Sequence, residues 1–577
     1  MDNGATKERT EPRWRDIILV AALLALVGVP SLFTRDLWNP DEPRYMEVAI
    51  EMVVLGDYII PHLNGEFYVE KPPMFFWLAG LLWRAGLGYN SGRIVTLAAV
   101  CGTLLLTYLF CRPRIGRDGG LLAAAIALTC LLLLKFTTIG VLDPLLMLFA
   151  TVALFTGYSA FQCRSRRPAL LLWVGCYVAM GLGTLTKGPV GFLVPGLVLF
   201  TYGVVNRRNA RLGGAAHALG LAAFAAVVLA WLIPAIVAGG PEYTRTILLK
   251  QNIGRAIRSY SHRNPFHYYL LRWPMYLFPW AFILPLAGVA AVRRWREADA
   301  LIRLSVLWLV VPFVFFSFIS GKRMNYVVPA VPAAGVLCAW YIALSPAAKG
   351  RLLRAEKRLF SAAFVCVAIL TILLMAAVLV TPALIPRVYP GAEFGREIAL
   401  FLTPARTAAA LIMLAVPLAV SLWGTFSARA SSQRKAAALI AAVVLACPGT
   451  DLFLVPAANR VKSGRQFGAA VSQHAASGRS LYLYGDGFSG VYNLWTGRVR
   501  IPELGTEDEL LDKLDNSNSL IVSDRKRFEK ALSADELARS KVVEEHVGHR
   551  VMVLLAGRGG DAASSSQTLQ SNTVQPR

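Results

Sequence analysis

The stretch Trp38–Lys71, WNPDEPRYMEVAIEMVVLGDYIIPHLNGEFYVEK, is a long polar and acidic run in a chain that is otherwise apolar. It follows directly on Ile17–Phe33, an apolar run close to the length of a membrane span. Two prolines near its start suit the first turn of a helix, where a missing N–H costs little. On that helix Asp41, Arg44 and Tyr45 share one face. The sequence therefore predicts a helix at a membrane surface whose mixed carboxylate, guanidinium and phenol face is half of an active site.

The composition is that of a membrane protein. Of the 577 residues, 56% are hydrophobic and only 16% are charged, whereas soluble domains carry about 25% charged residues. The formal net charge is +24 at pH 7. Basic blocks lie between apolar runs, which is typical of cytoplasmic loops that follow the positive-inside rule. These blocks are Arg112–Arg117, Arg164–Arg167, Arg207–Arg211, Arg293–Arg296, Lys349–Arg358 and Arg429–Lys435.

Charge and cysteine usage narrow the class further. No basic block is interleaved with aromatic residues on a soluble module, so we predict no nucleic-acid partner. The eight cysteines stand singly, without the spacing of a zinc site, and we expect them to be small buried hydrophobes. The N-terminus lacks the small-x-small cleavage site of a signal peptide, so Ile17–Phe33 is expected to remain as an anchor helix.

Apolar runs long enough to cross a bilayer, which takes about 20 residues, recur along the chain. We predict about 13 of them. They are Ile17–Phe33, Arg93–Cys111, Gly119–Leu134, Leu142–Phe161, Ala169–Leu185, Pro189–Val205, Gly213–Val237, Tyr276–Val292, Leu301–Ile319, Tyr326–Leu344, Leu359–Val380, Thr407–Trp423 and Ala436–Val455.

The charge pattern orients these spans. The shorter apolar segment Met74–Leu87 is assigned to the membrane interface or a re-entrant hairpin, because counting it as a crossing would put the later basic blocks outside. With the N-terminus inside, every basic block then lies on the cytoplasmic side. We therefore expect a multi-pass membrane protein whose C-terminus lies on the far side, which is the periplasm if the source is a Gram-negative bacterium. The polar loops that reach the same side as Trp38–Lys71 are Lys135–Asp143, Thr186–Pro189, Gly239–Trp273 and Gly321–Tyr326.

The C-terminal part has a different pattern. Ser463–Ala476 is predicted to be a helix, and Ser480–Tyr484, Ser519–Val522 and Val551–Leu555 short buried strands. The predicted fold is a polytopic α-helical membrane protein with a small C-terminal α/β domain. Its predicted divisions are a cytoplasmic N-terminus (1–16), a transmembrane catalytic domain (17–456) with a juxtamembrane region (34–92) and a periplasmic loop (239–275), a periplasmic α/β domain (457–556) and a disordered tail (557–577).

Several carboxylates lie on the predicted outer side. Asp41 could be a helix cap rather than a catalytic group, but its neighbours Arg44 and Tyr45 make the face chemically mixed. Asp143 precedes a proline at the start of a span, and a simple cap and a site residue are equally open readings. Glu47 and Glu51 are expected to be solvated helix surface.

Lysines and arginines on the predicted outer side need a separate explanation. The positive-inside rule accounts only for the basic residues of the cytoplasmic loops. Lys71 follows Glu70 and precedes two prolines, Lys187 ends a span, and Lys322 belongs to the patch Gly321–Tyr326, which is expected to face outward. An anionic ligand such as a phosphate explains them economically. For the basic loop within Gly239–Trp273, an amphipathic segment on anionic lipid is the alternative.

Carboxylates and cations at a lipid-facing surface indicate transfer of a group from a lipid phosphate. Cations can hold the phosphate leaving group and stabilise its charge as the bond breaks. A carboxylate can orient or deprotonate the acceptor. If the acceptor is itself a phosphate, its second pKa near 6 already makes it an anion, and Asp41 would act mainly by positioning.

Motifs carried in order along the membrane portion resemble those of the aminoarabinose (4-amino-4-deoxy-L-arabinose) transferases of lipid A. These transferases belong to the protein-O-mannosyltransferase-like, GT-C superfamily. The motifs are Asp41-Glu42-x-Arg44-Tyr45, Gly56-Asp57, Pro61-x-Leu63-Asn64-Gly65, Tyr68-x-Glu70-Lys71-Pro72-Pro73, Leu142-Asp143-Pro144, Leu185-Thr186-Lys187-Gly188-Pro189, Asn264-Pro265-Phe266-x-Tyr268-Tyr269 and Lys322-x-x-x-Tyr326.

The resemblance implies a GT-C fold of about 13 spans with periplasmic juxtamembrane helices. It implies inverting transfer of the aminosugar from an undecaprenyl-phosphate donor to a lipid A acceptor phosphate, in contact with membrane lipids. By motif, Asp41 would be the catalytic carboxylate and Asp143 the second acidic residue. A divalent metal ion, if used, would be bound by Glu70 with a loop histidine, either His262 or His267. The residues implied to line the donor phosphate and sugar pocket are Arg44, Tyr45, Tyr68, Lys71, Lys187 and Tyr326.

Other functions remain open from the residues alone. Transfer of a hexosamine to lipid A, or of mannose to protein Ser/Thr, would use a similar site. A protein hydroxyl acceptor would require Asp41 to act as a true base. A lipid or sugar transporter would place ionisable residues mid-membrane along a pathway, whereas here nearly all lie at span ends. A membrane-anchored periplasmic sensor is a further, non-enzymatic alternative.

Overall fold

A computed structural model describes residues 13–206, 214–247, 264–297, 299–344, 350–388, 401–427, 429–485, 490–547 and 550–558. These residues divide into two compact units. The first contains the described residues up to 35, 48–62 and 67–458. The second contains residues 36–47, 63–66 and those from 459 onward. The stretch Trp38–Lys71, which we call the opening stretch, therefore contributes to both units.

Long apolar helices make up most of the first unit. A helix satisfies every backbone hydrogen bond within its own segment, which is what a chain in hydrocarbon requires. The helices up to residue 462 are α1 (Arg13–Thr34), α2 (Asp41–Leu55), α3 (Met74–Leu82), α4 (Ser91–Leu128), α5 (Leu131–Thr137), α6 (Asp143–Gln162), α7 (Arg166–Lys187), α8 (Val190–Val205), α9 (Gly214–Arg245), α10 (Tyr268–Tyr276), α11 (Leu284–Arg293), α12 (Ala300–Phe318), α13 (Val331–Leu344), α14 (Gly350–Val388), α15 (Pro404–Phe426) and α16 (Ser432–Lys462).

The fold class is confirmed as a multi-span helical membrane protein. Within the described ranges, 10 helices are long and apolar enough to cross a membrane, or up to 11 if the bent pair Tyr268–Tyr276 and Trp280–Arg293 is one span. The predicted number of about 13 is larger for identifiable reasons. α4 breaks at Ile115 and Gly116, between two predicted spans, and α8 is shorter than a full crossing. The number of spans stays a prediction.

The segment that was predicted not to cross is irregular. α3 has only 9 residues, which at 1.5 Å per residue is about half of the hydrocarbon thickness. The backbone then leaves the helical conformation at Gly86, with φ 90°. α3 lies close against α2, because a Cβ added at Gly80 would be 3.0 Å from the carbonyl oxygen of Ala49.

A five-stranded sheet organises the second unit. Its strands are β3 (Ser480–Tyr484), β4 (Glu503–Leu504), β5 (Ser519–Asp524), β6 (Lys541–Val547) and β7 (Arg550–Ala556), in the order β4-β3-β5-β7-β6. A separate two-stranded hairpin, β1 (His62–Leu63) and β2 (Glu66–Phe67), precedes them in the chain. β3 pairs in parallel with β4 and β5, whereas β7 is antiparallel to β5 and β6. The three predicted strands are present; β4 and β6 were not predicted.

Helices cover both faces of this sheet. Alternate residues of its buried strands point to opposite faces, so each face packs against its own apolar cluster. Leu520 and Val522 of β5 face one apolar cluster, and Ile521 between them faces the other. The predicted small α/β domain is therefore confirmed. Its helices are α17 (Arg465–Ala475), α18 (Val491–Thr496), α19 (Glu507–Leu514), α20 (Arg525–Ala531) and α21 (Ala534–Ser540).

Two parts of the opening stretch are hydrogen-bonded within the second unit. The Asn64 side chain accepts from the Ile501 N–H (2.7 Å) and the Asn493 amide (2.8 Å), and donates to the Ile501 carbonyl (2.9 Å). The indole of Trp38 donates to the Asn459 side chain at 2.8 Å. Asn64 is buried, so these bonds satisfy groups that would otherwise be costly to bury.

Close glycine contact fixes the turn between α7 and α8. Gly188 directly follows α7 and has φ +81°, a conformation that L side chains rarely adopt. A Cβ added at Gly191 would lie 2.1 Å from the carbonyl carbon of Gly183. The two helices therefore approach as closely as their backbones allow, and this holds the end of α7 in place.

We predict that Gly191→Ala destabilises the protein by about 1–3 kcal/mol, because the new methyl group overpacks the α7–α8 contact. The measurement is the thermal unfolding midpoint of the purified protein in detergent. Gly196→Ala is the matched control, since it lies on the same helix and a Cβ there meets nothing within 4 Å. Equal midpoints for the two variants would contradict the prediction.

Candidate active site

Asp143 and Lys187 form a buried ion pair between α6 and α7. Asp143 is the first residue of α6 and Lys187 the last of α7. The Lys187 ammonium donates to Oδ1 of Asp143, and the Asn325 side-chain amide donates to Oδ2 at 3.1 Å. The side chains of Asp143 and Lys187 are only 6% and 11% exposed. Both oxygens of the carboxylate are therefore used in tertiary contacts, so the reading of Asp143 as a simple helix cap is not supported.

Tyr326 completes what we call the Asp143 cluster: Asp143, Lys187, Asn325 and Tyr326. The Lys187 Nζ lies 5.2 Å from the centroid of the Tyr326 ring, within the range of a cation–π contact. The other contact of that ring is Phe316, at 5.2 Å between centroids. The lysine cation is thus held between a carboxylate and an aromatic face.

The backbone before α6 is fixed by reciprocal hydrogen bonds. The Thr96 hydroxyl donates to the Val141 carbonyl and accepts from the Val141 N–H, both at 3.2 Å. Pro144 follows Asp143 in the first turn of α6, where its missing N–H costs nothing. Together these contacts determine where the Asp143 carboxylate lies.

Asp41, Arg44 and Tyr45 form a second polar group at the start of α2. Nη2 of Arg44 donates to Oδ1 of Asp41 at 2.8 Å, and the side chains are 25% and 41% exposed. The guanidinium carbon also lies 5.4 Å from the centroid of the Tyr45 ring. Nearby, the Trp38 N–H donates to the Glu42 carboxylate at 3.1 Å. Asp41 thus remains partly accessible to a ligand while Arg44 orients it.

The two polar groups belong to different units of the structure. The Asp143 cluster lies in the first unit, and Asp41, Arg44 and Tyr45 lie in the second. That they act together on one substrate stays a prediction.

Tyr68, Glu70 and Lys71 follow the β1–β2 hairpin. Tyr68 is buried, its N–H donates to the Pro61 carbonyl at 2.8 Å, and its ring packs edge-on against Phe76 at 5.9 Å. The Lys71 ammonium donates to the Glu70 carbonyl at 3.2 Å. Their predicted role in the donor pocket stays a prediction.

The metal hypothesis is likewise untested. In the part of the chain that the structure describes, no group of three or more His, Cys, Asp and Glu side chains is placed to hold a metal ion. Glu70 is among the described residues, but His262 lies outside them.

One expectation about exposure is wrong. Glu47 and Glu51, expected on the helix surface, are 4% and 0% exposed, because α2 is buried along most of its length. Lys322, in the patch expected on the outer side of the membrane, is buried as well. Its ammonium donates to the carbonyls of Asn264 (3.0 Å) and Ile319 (2.6 Å), and burial lowers the pKa of Lys322 from its usual value.

Asn325 was missed. It stands beside Tyr326 inside a motif that the sequence singled out, so its position was a usable signal. The amide itself is a weak signal, because polar uncharged residues are common in loops. In the structure its Oδ1 is buried and has no partner among the described residues, so it can accept a hydrogen bond from a ligand.

Part of the chain matches a known family, and its fold is similar to a solved structure. Residues 70–233 match the family described as dolichyl-phosphate-mannose-protein mannosyltransferase. The chain is also similar in fold to the crystal structure of ArnT from Cupriavidus metallidurans bound to undecaprenyl phosphate. The TM-score is 0.69 at 22% identity, covering 93% of this chain and 97% of that one. The likeness shows that the chain has the fold of that structure.

The sequence relatives have a more specific name than the family that matches residues 70–233. The chain is 34% identical over 346 residues to the undecaprenyl phosphate-alpha-4-amino-4-deoxy-L-arabinose arabinosyl transferase of Pectobacterium carotovorum, covering 58% of this chain and 61% of that protein. It is 31% identical over 369 residues to the transferase of the same name from Erwinia tasmaniensis, covering 63% and 66%. The matched regions thus span less than two thirds of these relatives. The resemblance read from the motifs is confirmed.

We predict that Lys187→Met destabilises the protein by about 3–5 kcal/mol, because it leaves the buried Asp143 carboxylate without its counter-ion. The double variant Asp143→Asn with Lys187→Gln replaces the pair by neutral amides and should regain most of that loss. Thermal unfolding of the purified proteins checks both. Arg500→Gln is the control, since its pair with Glu66 is exposed (68% and 70%) and should contribute only about 0–1 kcal/mol. A Lys187→Met midpoint equal to that control would refute the structural role of the pair.

Proposed function

We propose that this protein transfers 4-amino-4-deoxy-L-arabinose from undecaprenyl phosphate to a phosphate of lipid A, with inversion at the sugar. The observation that carries the proposal is the Asp143 cluster: a lysine, a carboxylate, an amide and a phenol gathered where α6 begins and α7 ends. The names of the sequence relatives supply the sugar and the carrier. The acceptor is the part of the proposal that rests most on the resemblance.

We assign to Lys187 the binding of the donor phosphate. As the bond from the anomeric carbon to the phosphate oxygen breaks, negative charge grows on undecaprenyl phosphate, and a preorganised ammonium stabilises it. Asp143 keeps Lys187 in place and limits its motion, while the unpartnered Oδ1 of Asn325 accepts a hydrogen bond from the sugar. Tyr326 covers the cation from the other side.

We assign to Asp41 the positioning of the acceptor. A phosphate oxygen of lipid A attacks the anomeric carbon from the face opposite the leaving phosphate, which inverts the configuration. Because the acceptor is already anionic near neutral pH, Asp41 positions it through Arg44 rather than removing a proton. Arg44 supplies the opposite charge that a phosphate acceptor needs.

The reaction is assigned to the periplasmic face of a bacterial inner membrane. The support is the basic blocks between the spans, which favour a cytoplasmic position for one set of loops. The polar motifs that carry the site then share the opposite side with the C-terminal domain.

A second candidate is mannose transfer to a protein hydroxyl, favoured by the description of the family that matches residues 70–233. A hydroxyl must lose its proton during attack, so this reaction would need Asp41 as a general base. The two candidates therefore differ in what they demand of one carboxylate.

We predict that Asp41→Asn reduces sugar transfer by about 10²-fold, the order expected when the acceptor is misplaced, while membrane insertion is unchanged. The readout is the mass spectrum of lipid A from a null strain carrying the variant. Asp118→Asn is the control, because its side chain is 74% exposed. Lipid A modified to the wild-type level in the Asp41→Asn strain would show that the role given to Asp41 is wrong. Added hexosamine in the wild-type strain would show that the sugar is wrong.

The pH dependence separates the acceptors. With a phosphate acceptor, the initial rate should rise as the pH passes about 6, where the acceptor loses its second proton, and then level off. Initial rates with lipid A, measured from pH 5 to 8 at saturating donor, test this. The hydroxyl reaction would be favoured if the wild-type protein glycosylated a synthetic Ser/Thr peptide instead of lipid A. The rate of that reaction would also have to depend on Asp41.

A further inference from the structure

An apolar cleft with one buried carboxylate lies among the helices of the first unit, apart from the Asp143 cluster. Its volume is about 240 Å³. Residues of α1, α5, α14 and α16 and the segment around Pro279 line it, among them Val27, Leu134, Leu374 and Val443. Leu131 and Leu370 at its rim are 39% and 43% exposed, so the cleft opens on the outer surface of the helices.

Asp451 of α16 is the exception in this lining. It is only 7% exposed. Its Oδ2 is buried and has no hydrogen-bond partner in the described part of the chain. The threonines of the cleft do not serve it, because the hydroxyls of Thr371 and Thr450 donate to carbonyls one turn back in their own helices.

A buried carboxylate without a partner is costly. Moving an ionised carboxyl out of water costs several kcal/mol unless a cation or donors replace its hydration. Ionisable residues within membrane helices are accordingly rare and mark functional sites. The part of the chain that the structure describes places no lysine or arginine in an ion pair with Asp451, so we look to a ligand for the missing charge.

The surroundings indicate the charge pattern of that ligand. The Arg35 guanidinium lies close enough to Asp451 to interact with it electrostatically. It also donates to the carbonyl of Thr138, a residue of the cleft lining, at 2.7 Å. One end of the cleft thus offers an acceptor for a cationic group and, close by, a positive charge for an anionic one. The remaining lining suits hydrocarbon.

We propose that this cleft binds a membrane phospholipid that carries a primary ammonium group. The ammonium donates to Asp451, the phosphate lies towards Arg35, and the start of an acyl chain fills the apolar part between Val27 and Leu374. The cleft is smaller than the sites of drug-sized ligands, which measure about 300–1,000 Å³. It therefore holds the polar end of the lipid, and the chains continue over the exposed rim.

Native mass spectrometry of the full-length protein tests the proposal. The probes are phosphatidylethanolamine, phosphatidylcholine and phosphatidylglycerol with identical acyl chains, titrated separately into delipidated protein. The first has N–H donors and a positive charge, the second has the charge without donors, and the third has neither. We expect phosphatidylethanolamine to bind at least about tenfold more tightly than phosphatidylglycerol, as loss of one charge-assisted hydrogen bond implies, with phosphatidylcholine between them.

Asp451→Asn keeps the shape of the side chain and removes its charge. It should abolish the preference for phosphatidylethanolamine while leaving phosphatidylglycerol binding unchanged, and Asp118→Asn should behave as wild type. Ala446→Phe fills the cleft from α16 and should reduce the binding of all three lipids, which keeps the test available if Asp451→Asn fails to fold. Equal affinities for the three lipids in the wild type, an undiminished preference in Asp451→Asn, or undiminished binding of the lipids to Ala446→Phe would overturn the proposal.

Discussion

The buried ion pair between Asp143 and Lys187 is the interaction on which the membrane part of the candidate site depends. It joins the first residue of α6 to the last residue of α7, and Asn325 and Tyr326 are arranged around it. A buried pair of this kind contributes little net stability compared with apolar packing, because both ions lose their hydration. Its presence is better explained by what it positions. A lysine that is held in place can meet a phosphate without first being ordered.

Much of the fold could be predicted from the sequence because a membrane restricts what a chain can do. Apolar runs of about 20 residues form helices there, and most of the predicted runs fall on a helix, although Tyr276–Val292 crosses the break between α10 and α11. The number of crossings was harder, since a break such as Gly116 depends on a backbone angle that hydropathy does not report. Strand β6 was missed because its sequence KVVEEHV mixes charged residues with valines at the edge of a sheet. Edge strands often carry charge, which hides the usual alternation.

The candidate site was predictable in part. Asp143 and Lys187 are 44 residues apart in sequence, and the motifs that flank them pointed to both. Exposure was less predictable, because it depends on tertiary contacts. The acidic residues Glu47 and Glu51 have the composition of a helix surface, yet α2 is enclosed. The burial of Lys322 could not be predicted for the same reason: a lysine in a loop between spans usually faces water, but here carbonyl oxygens replace the water.

The division of the opening stretch between two units has a consequence for how the chain is made. Trp38 and its partner Asn459 are separated by 421 residues, and Asn64 finds its partners later still, at Asn493 and Ile501. At a synthesis rate of about 5–20 residues per second, the segment that carries Asp41 exists for roughly 20–80 s before those partners leave the ribosome. This early polar segment is therefore among the last parts of the protein to reach its native contacts. Until then its buried groups must be satisfied by water at the membrane surface.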